Sequence, residues 1–216
     1  MELFKDLKKV LDLHHNPVGI KLISEKREDD IPKRFKSPEN LMRYCEFVKR
    51  AANGEYLKIT KGDFSCITGE ILLGLKKPKR IKLDMRLQLK NLKYVLLFPI
   101  NKFFMKEFDS ILLIVNPKNC MDIIESYIHL YNEPLESIHG IPTGICGEVT
   151  AFVIKHKKIN FSFLCSGSRI FAGFDECELL FEKKKKKTRP LIREIKSIVE
   201  ERRLDASLME EARNSK

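Results

Sequence analysis

Four of the six cysteines in this 216-residue chain fall into two pairs with nearly the same spacing. Cys45 and Cys66 are 21 positions apart, Cys146 and Cys165 are 19 apart, and a Phe precedes the second member of each pair by two residues (Phe64, Phe163). A glycine follows that second cysteine by eight positions in both stretches (Gly74, Gly173), and an alanine follows the first by six or five (Ala51, Ala151). Repeated units usually bury a common face against each other. The spacing therefore predicts two pseudo-repeats, at about 38–75 and 139–174, that bring four thiols near one pseudo-twofold axis.

Four thiols in one place suit a [4Fe-4S] cluster, which takes four thiolates and is stabilised by N–H groups directed at its sulfurs. On this reading the ligands are Cys45, Cys66, Cys146 and Cys165, while Gly69, Gly147 and Gly167 allow close backbone approach and positive φ beside the sulfurs. Arg169 is the nearest cation in sequence to Cys165. Neither CxxC nor CxxxC occurs, so the close pairs of zinc fingers and ferredoxins are lacking and the ligands must assemble from four separate elements.

Zinc or another metal is an alternative, and so is a metal-free thiol enzyme. In the latter Cys165, within LCSGSR, is the nucleophile for redox or sulfur-transfer chemistry and Arg169 its anion-binding partner. The phosphatase-type loop is excluded, because it needs five residues between Cys and Arg and this chain has three. Cys120 and Cys177 lie outside the repeat and read as packing residues, with Cys177 the substitute if one of the four is misplaced. His139, in the loop before Cys146, is the histidine placed to approach the site. No HExxH, GxGxxG, Walker A, serine elbow or paired-carboxylate motif occurs, so hydrolytic and nucleotide-driven mechanisms have no support.

The elements that must position these cysteines follow from periodicity and capping. Residues 2–13 carry an apolar stripe at helical spacing, and VGIKLIS reads as a buried strand. Ser37-Pro38 opens a helix to about residue 52 with Leu41, Tyr44, Cys45 and Val48 on one face; YLKIT is a strand, and a helix starts at or just before Cys66. YVLLFPI and SILLIV are strands, Asn116-Pro117 opens a helix to about 130, and residues 132–145 form a loop. GEVTAFVIK reads as helix by analogy with 45–52, INFSFL as strand, Cys165–Arg169 as a tight turn, CELLFEK as the last strand, and residues 190–204 as an amphipathic helix. The expected architecture is α/β or α+β: two pseudo-repeated lobes around a mixed sheet, with N- and C-terminal helices. Residues 1–205 form a single domain, and 206–216 a frayed tail.

Composition narrows the class further. A 43% hydrophobic content in 216 residues is enough for a core without staples. No apolar run of 18 residues exists, and MELFKDLKKVLDL is an amphipathic helix rather than a signal peptide, so the reading is a cytoplasmic protein with no membrane association. Reduced thiols in such a compartment serve metal or catalysis more often than disulfides, intracellular hyperthermophile proteins being the exception. The net charge of +11 raises nucleic-acid binding, or a basic binding module. Ten of the positive charges sit in Lys76, Lys77, Lys79, Arg80 and Lys82 and in Lys183–Lys187, with no nucleic-acid-binding motif beside them. The sequence names neither a redox partner nor a small-molecule substrate.

The segments NPVGIKLI, YCEFVKRAANGEYLKIT, FSCITGEILLGL, FDSILLIVNP, CGEV and LCSGSR, taken in order, resemble the DUF169 family of archaea and anaerobic bacteria. The resemblance spans roughly residues 1–200 and includes all four paired cysteines. It implies that these cysteines matter and an anaerobic setting, and supplies no activity.

Overall fold

The computed structural model describes residues 2–24, 31–77, 87–100, 105, 107–140, 143–184 and 188–214. Among the described residues six strands form one sheet: β1 (Val18–Ser24), β2 (Leu57–Thr60), β3 (Leu92–Pro99), β4 (Ser110–Val115), β5 (Asn160–Ser162) and β6 (Leu179–Lys184), in the order β2-β3-β1-β4-β6-β5. Every pairing between them is antiparallel, where a mixed sheet was expected. The unbroken apolar runs of β3 and β4 arise because helices cover both faces of the sheet, as those runs implied. The two cysteine stretches do not close into separate lobes. Their short strands β2 and β5 lie at opposite edges of the one sheet.

Side-chain alternation divides the core into two layers. On one face Val95, Leu97, Leu112, Ile114 and Leu180 pack with helix α2 (Tyr44–Ala52), helix α3 (Ile67–Leu72), a π-helical segment π1 (Gly144–Ala151) and helix α5 (Phe152–His156). On the other, Leu96, Phe98, Ile111, Leu113 and Phe181 pack with helix α1 (Glu2–Val10), helix α4 (Pro117–Tyr131) and helix α7 (Thr188–Asn214). Gly19 on β1 is required by this packing, since a Cβ there would lie 2.4 Å from the Phe98 ring.

The capping signals hold at α4, where the Asn116 side chain accepts the Asn119 N–H at 2.8 Å and Pro117 fills the first helical position. Helix α2 starts at Tyr44, six residues later than Pro38, because the chain ahead of it is used as extended backbone: Met42 bridges Phe64. Leu41, expected on the buried face, is consequently 65% exposed. Cys165–Arg169 is not a turn but the start of helix α6 (Ser166–Ala172). Cys177 does not begin β6; it lies exposed in the turn before it, its N–H donating to Asp175. Helix α7 continues to Asn214, through residues expected to fray. Lys79, Arg80, Lys82 and Lys185–Lys187 lie outside the described residues.

Candidate functional site

Each paired cysteine stands at the beginning of a helix. Cys66 is the N-cap of α3 and Cys165 the N-cap of α6, while Cys45 is the second residue of α2 and Cys146 the third of π1. Backbone N–H groups in the first turn of a helix have no partner within the helix, so a sulfur there can accept from them.

Local backbone pairing joins the two members of each pair. The Met42 N–H donates to Asp63 O (3.0 Å) and the Ser65 N–H to Met42 O (2.9 Å), which holds the approach to Cys45 against the approach to Cys66. In the second stretch the start of π1 lies on the main chain of Leu164 and Cys165. A Cβ on Gly144 would fall 2.9 Å from Cys165 N and 3.0 Å from Leu164 Cα. Leu164 itself has φ of 69°, a left-handed value that costs a residue other than glycine roughly 1–2 kcal/mol. Its N–H donates to the Ser162 hydroxyl, which donates in turn to the buried Glu148 carboxylate (2.6 Å), and this fixes the bend that delivers Cys165. Helix α2 then packs on α6 and on π1, and α3 on π1, so the two stretches meet at their cysteines.

The electrostatics reflect that meeting. Burial pushes the Cys146 thiol far up, and the Cys66, Cys165 and Cys45 sulfurs add to the shift by repelling its charged form. Burial also pushes Cys45 up to about 11, partly offset by the Ser168 hydroxyl, with repulsion from Cys165 on top. Cys165 moves the other way. Its partial burial would raise it, but the Ser168 hydroxyl (3.3 Å from Sγ) and the backbone N–H groups of Ser168, Gly144 and Gly167 together outweigh that and lower it. Ser168 is buried, the third residue of α6, and its hydroxyl serves both Cys45 and Cys165. Cys120 belongs to the opposite layer, where burial alone drives its thiol up to about 12.

The glycines do less than expected. Gly69, Gly147 and Gly167 all lie inside helical segments, and none has positive φ; the positive-φ glycines of the two stretches include Gly74 and Gly173. Close approach does not require Gly167 either, since a Cβ there would make ordinary contacts, 3.4 Å from the Arg43 guanidinium and 3.8 Å from Cys165 Sγ. Arg43 is thus the cation beside the sulfurs, stacked over the Phe171 ring at 3.7 Å. Arg169 donates to the main-chain carbonyls of Phe163, Asp175 and Glu178 and ties α6 to the chain around it.

Sequence reasoning missed Arg43, Gly144 and Ser168. Arg43 and Gly144 each precede a cysteine by two residues, and Ser168 follows Cys165 by three, the position whose side chain turns back to a helix start.

Around the cysteines the surface is apolar. Ile67, Phe163, Ile170 and Phe171 are exposed by 47%, 62%, 73% and 53%, large values for residues next to Cys66 or within six positions of Cys165. His139 lies against Phe163 (ring centroids 4.9 Å). Beneath, on the same face of the sheet as Leu180, the buried Glu182 carboxyl accepts from the hydroxyls of Ser110 (2.5 Å) and Thr150 (2.9 Å), and Thr150 is 3.3 Å from Tyr44 Oη. Thr143, the N-cap of π1, has a buried hydroxyl with no hydrogen-bond partner among the described residues.

Among the described residues no three His, Cys, Asp or Glu side chains form a group that could hold a metal ion, and no helix is long and apolar enough to cross a membrane. Comparison with curated proteins and with solved structures gave no match to this chain. A family model matches residues 6–192, which include the whole of the sheet and all four paired cysteines, and the chain belongs to the family it defines, DUF169 (Uncharacterised ArCR).

Proposed function

We propose that Cys45, Cys66, Cys146 and Cys165 hold a [4Fe-4S] cluster and that the protein serves redox or metallocofactor metabolism in the cytoplasm of an anaerobe. The observation that carries this reading is that the helix starts bearing these cysteines pack together, α2 on α6 and π1 and α3 on π1, although the pairs are far apart in sequence. Bound there, such a cluster would supply one-electron transfer.

The chain's own residues would each contribute. Cys45 and Cys146, protonated at neutral pH when metal-free, would release protons on binding iron. The N–H groups of Gly144, Gly167 and Ser168 already point at Cys165 and would donate to its thiolate. Arg43 offsets negative charge at the same edge, and Ile67, Phe163 and Phe171 offer an apolar surface on which a redox partner or substrate can rest.

Anaerobic purification or reconstitution followed by iron and sulfide analysis tests the reading. About four irons per chain are expected, lost or reduced by Cys→Ser at each of the four positions and unchanged in Cys120→Ser. Equal iron in all five variants, or none in the parent protein, overturns it. A second reading is favoured by the lowered pKa of Cys165: a metal-free thiol enzyme with Cys165 as nucleophile. A colourless protein in which one cysteine, Cys165, is alkylated ahead of the others supports that alternative.

A further inference from the structure

On the sheet face opposite the cysteines, a cavity of about 630 Å³ opens between the C-terminal end of α4, the loop after it, the end of α5 and β6. This volume falls within the range of roughly 300–1,000 Å³ typical of small-ligand sites. One wall is aromatic: Tyr127 and Tyr131, four residues apart on α4, hold their rings 4.7 Å centroid to centroid. Leu135 and Ile159 add aliphatic surface.

Among the charged side chains of the wall three lysines face two glutamates. Lys183 is 4% exposed, and its ammonium donates to Tyr131 Oη at 3.4 Å and stands 5.2 Å from the ring centroid. Lys157 and Lys158 enter from the end of α5, where Lys157 takes a left-handed φ of 59° and turns the chain at the rim. The two rim carboxylates have partners of their own: Glu133 accepts from Tyr127 Oη at 2.6 Å, and Glu136 pairs with Lys158 at 3.0 Å. Burial, with help from Glu133, pushes the Tyr127 phenol up to about 12, and burial raises Tyr131 as well, so both rings stay neutral and do not repel an anion. Ammonium groups beside aromatic and aliphatic surface favour a ligand with a negative end and a flat apolar body.

We propose that this cavity is a second ligand site, taking a small planar organic anion: its ring against Tyr131, Leu135 and Ile159, its carboxylate, sulfonate or phosphate between Lys183 and Lys157. The proposal is independent of what the cysteines hold.

The test is a fluorescence titration of the intact protein with 1-anilinonaphthalene-8-sulfonate, a monoanion with a flat naphthalene ring, and with the uncharged N-phenyl-1-naphthylamine. One saturable site is expected for the anion, bound at least about tenfold more weakly by Lys157→Glu and by Tyr131→Ala, a loss of about 1.4 kcal/mol each. Lys157 is exposed, so its variant keeps the test valid if Tyr131→Ala does not fold. Phe171→Ala, on the cysteine face, should leave binding unchanged. Absence of a saturable site, equal affinity for the uncharged probe, or loss of binding in Phe171→Ala with Lys157→Glu unaffected would each overturn the proposal.

Discussion

Gly144 and Cys165 meet main chain to main chain: the Gly144 N–H is directed at the Cys165 sulfur, and no Cβ fits between the two residues, since it would lie 2.9 Å from Cys165 N. That contact joins the helix start bearing Cys146 to the one capped by Cys165, as the Met42–Phe64 bridge joins Cys45 to Cys66.

Gly144→Ala is the direct probe of this contact. Helix propensity alone would favour Ala by about 1 kcal/mol. The new methyl must instead displace backbone, and overpacking of this kind costs about 1–3 kcal/mol, so the steric term wins. The variant should be less stable in urea and should bind less iron on reconstitution. An equally stable variant with full iron content would contradict the contact.

Ser168→Ala removes the hydroxyl that faces Cys165 at 3.3 Å and also serves Cys45. Without it the Cys165 thiol loses a donor to its charged form and its pKa rises. Iodoacetamide labelling of the metal-free protein near neutral pH, read by mass spectrometry, should modify Cys165 ahead of Cys45 and Cys120 in the parent. In the variant Cys165 should react several-fold more slowly, following the thiolate fraction. Labelling unchanged by the substitution would remove Ser168 from the account.

Glu182 makes stability depend on pH. Burial raises its carboxyl from 4.5 to about 8 against the opposing donations of Ser110 and Thr150, so it is mostly protonated at neutral pH. A carboxyl whose pKa is higher folded than unfolded holds its proton more tightly in the native state. Its favourable contribution is therefore full below pH 4.5 and declines until about 8, beyond which it levels off. The decline is at most about 1.4 kcal/mol per pH unit inside that window. Glu182→Gln cannot ionise, so it should gain stability relative to the parent as pH rises through the window. Parallel urea curves for both proteins at the two ends of the window would refute this.

On the other layer, buried Asp122 of α4 accepts from Arg202 of α7 and, at 3.4 Å, from the exposed Lys118. Arg202→Ala strips a buried carboxylate of its principal partner. With Arg202 37% exposed, the expected loss is about 1–3 kcal/mol, less than for a wholly buried pair. Lys196→Ala, which breaks an exposed pair with Glu200 on the same helix, should change stability by less than about 0.5 kcal/mol. Chemical denaturation of the two variants compares them directly.

The parts of the fold legible in the sequence were those fixed by local rules. Strands β3 and β4 announce themselves by apolar density, α4 by Asn116-Pro117, and α3 by a cysteine placed just ahead of an apolar run. What was not legible depends on distant partners. Ser166-Gly167-Ser168 has poor helix propensity, yet α6 forms because Ser168 is buried against cysteines and Arg169 is fastened to three carbonyls. Leu41 looked like a buried helical residue until Met42 was claimed as extended backbone by Phe64, far along the chain. In LLFEKK, Glu182 reads as a surface charge, but its two-residue offset from Leu180 puts it on the buried face. The antiparallel strand order could not be read from apolar runs, because coverage by helices on both faces gives the same pattern in either kind of sheet.

Half of the thiol site is made long before the other half. Cys165 leaves the ribosome roughly 100 residues after Cys66, a delay on the order of 5–20 s at ordinary rates of synthesis. During that interval Cys45 and Cys66 stand at an unfinished face, with π1 and α6 not yet there to cover them. Anything that needs all four sulfurs must wait until Cys165 has emerged, and until π1 and α6 fold the first two thiols lack the cover those segments provide.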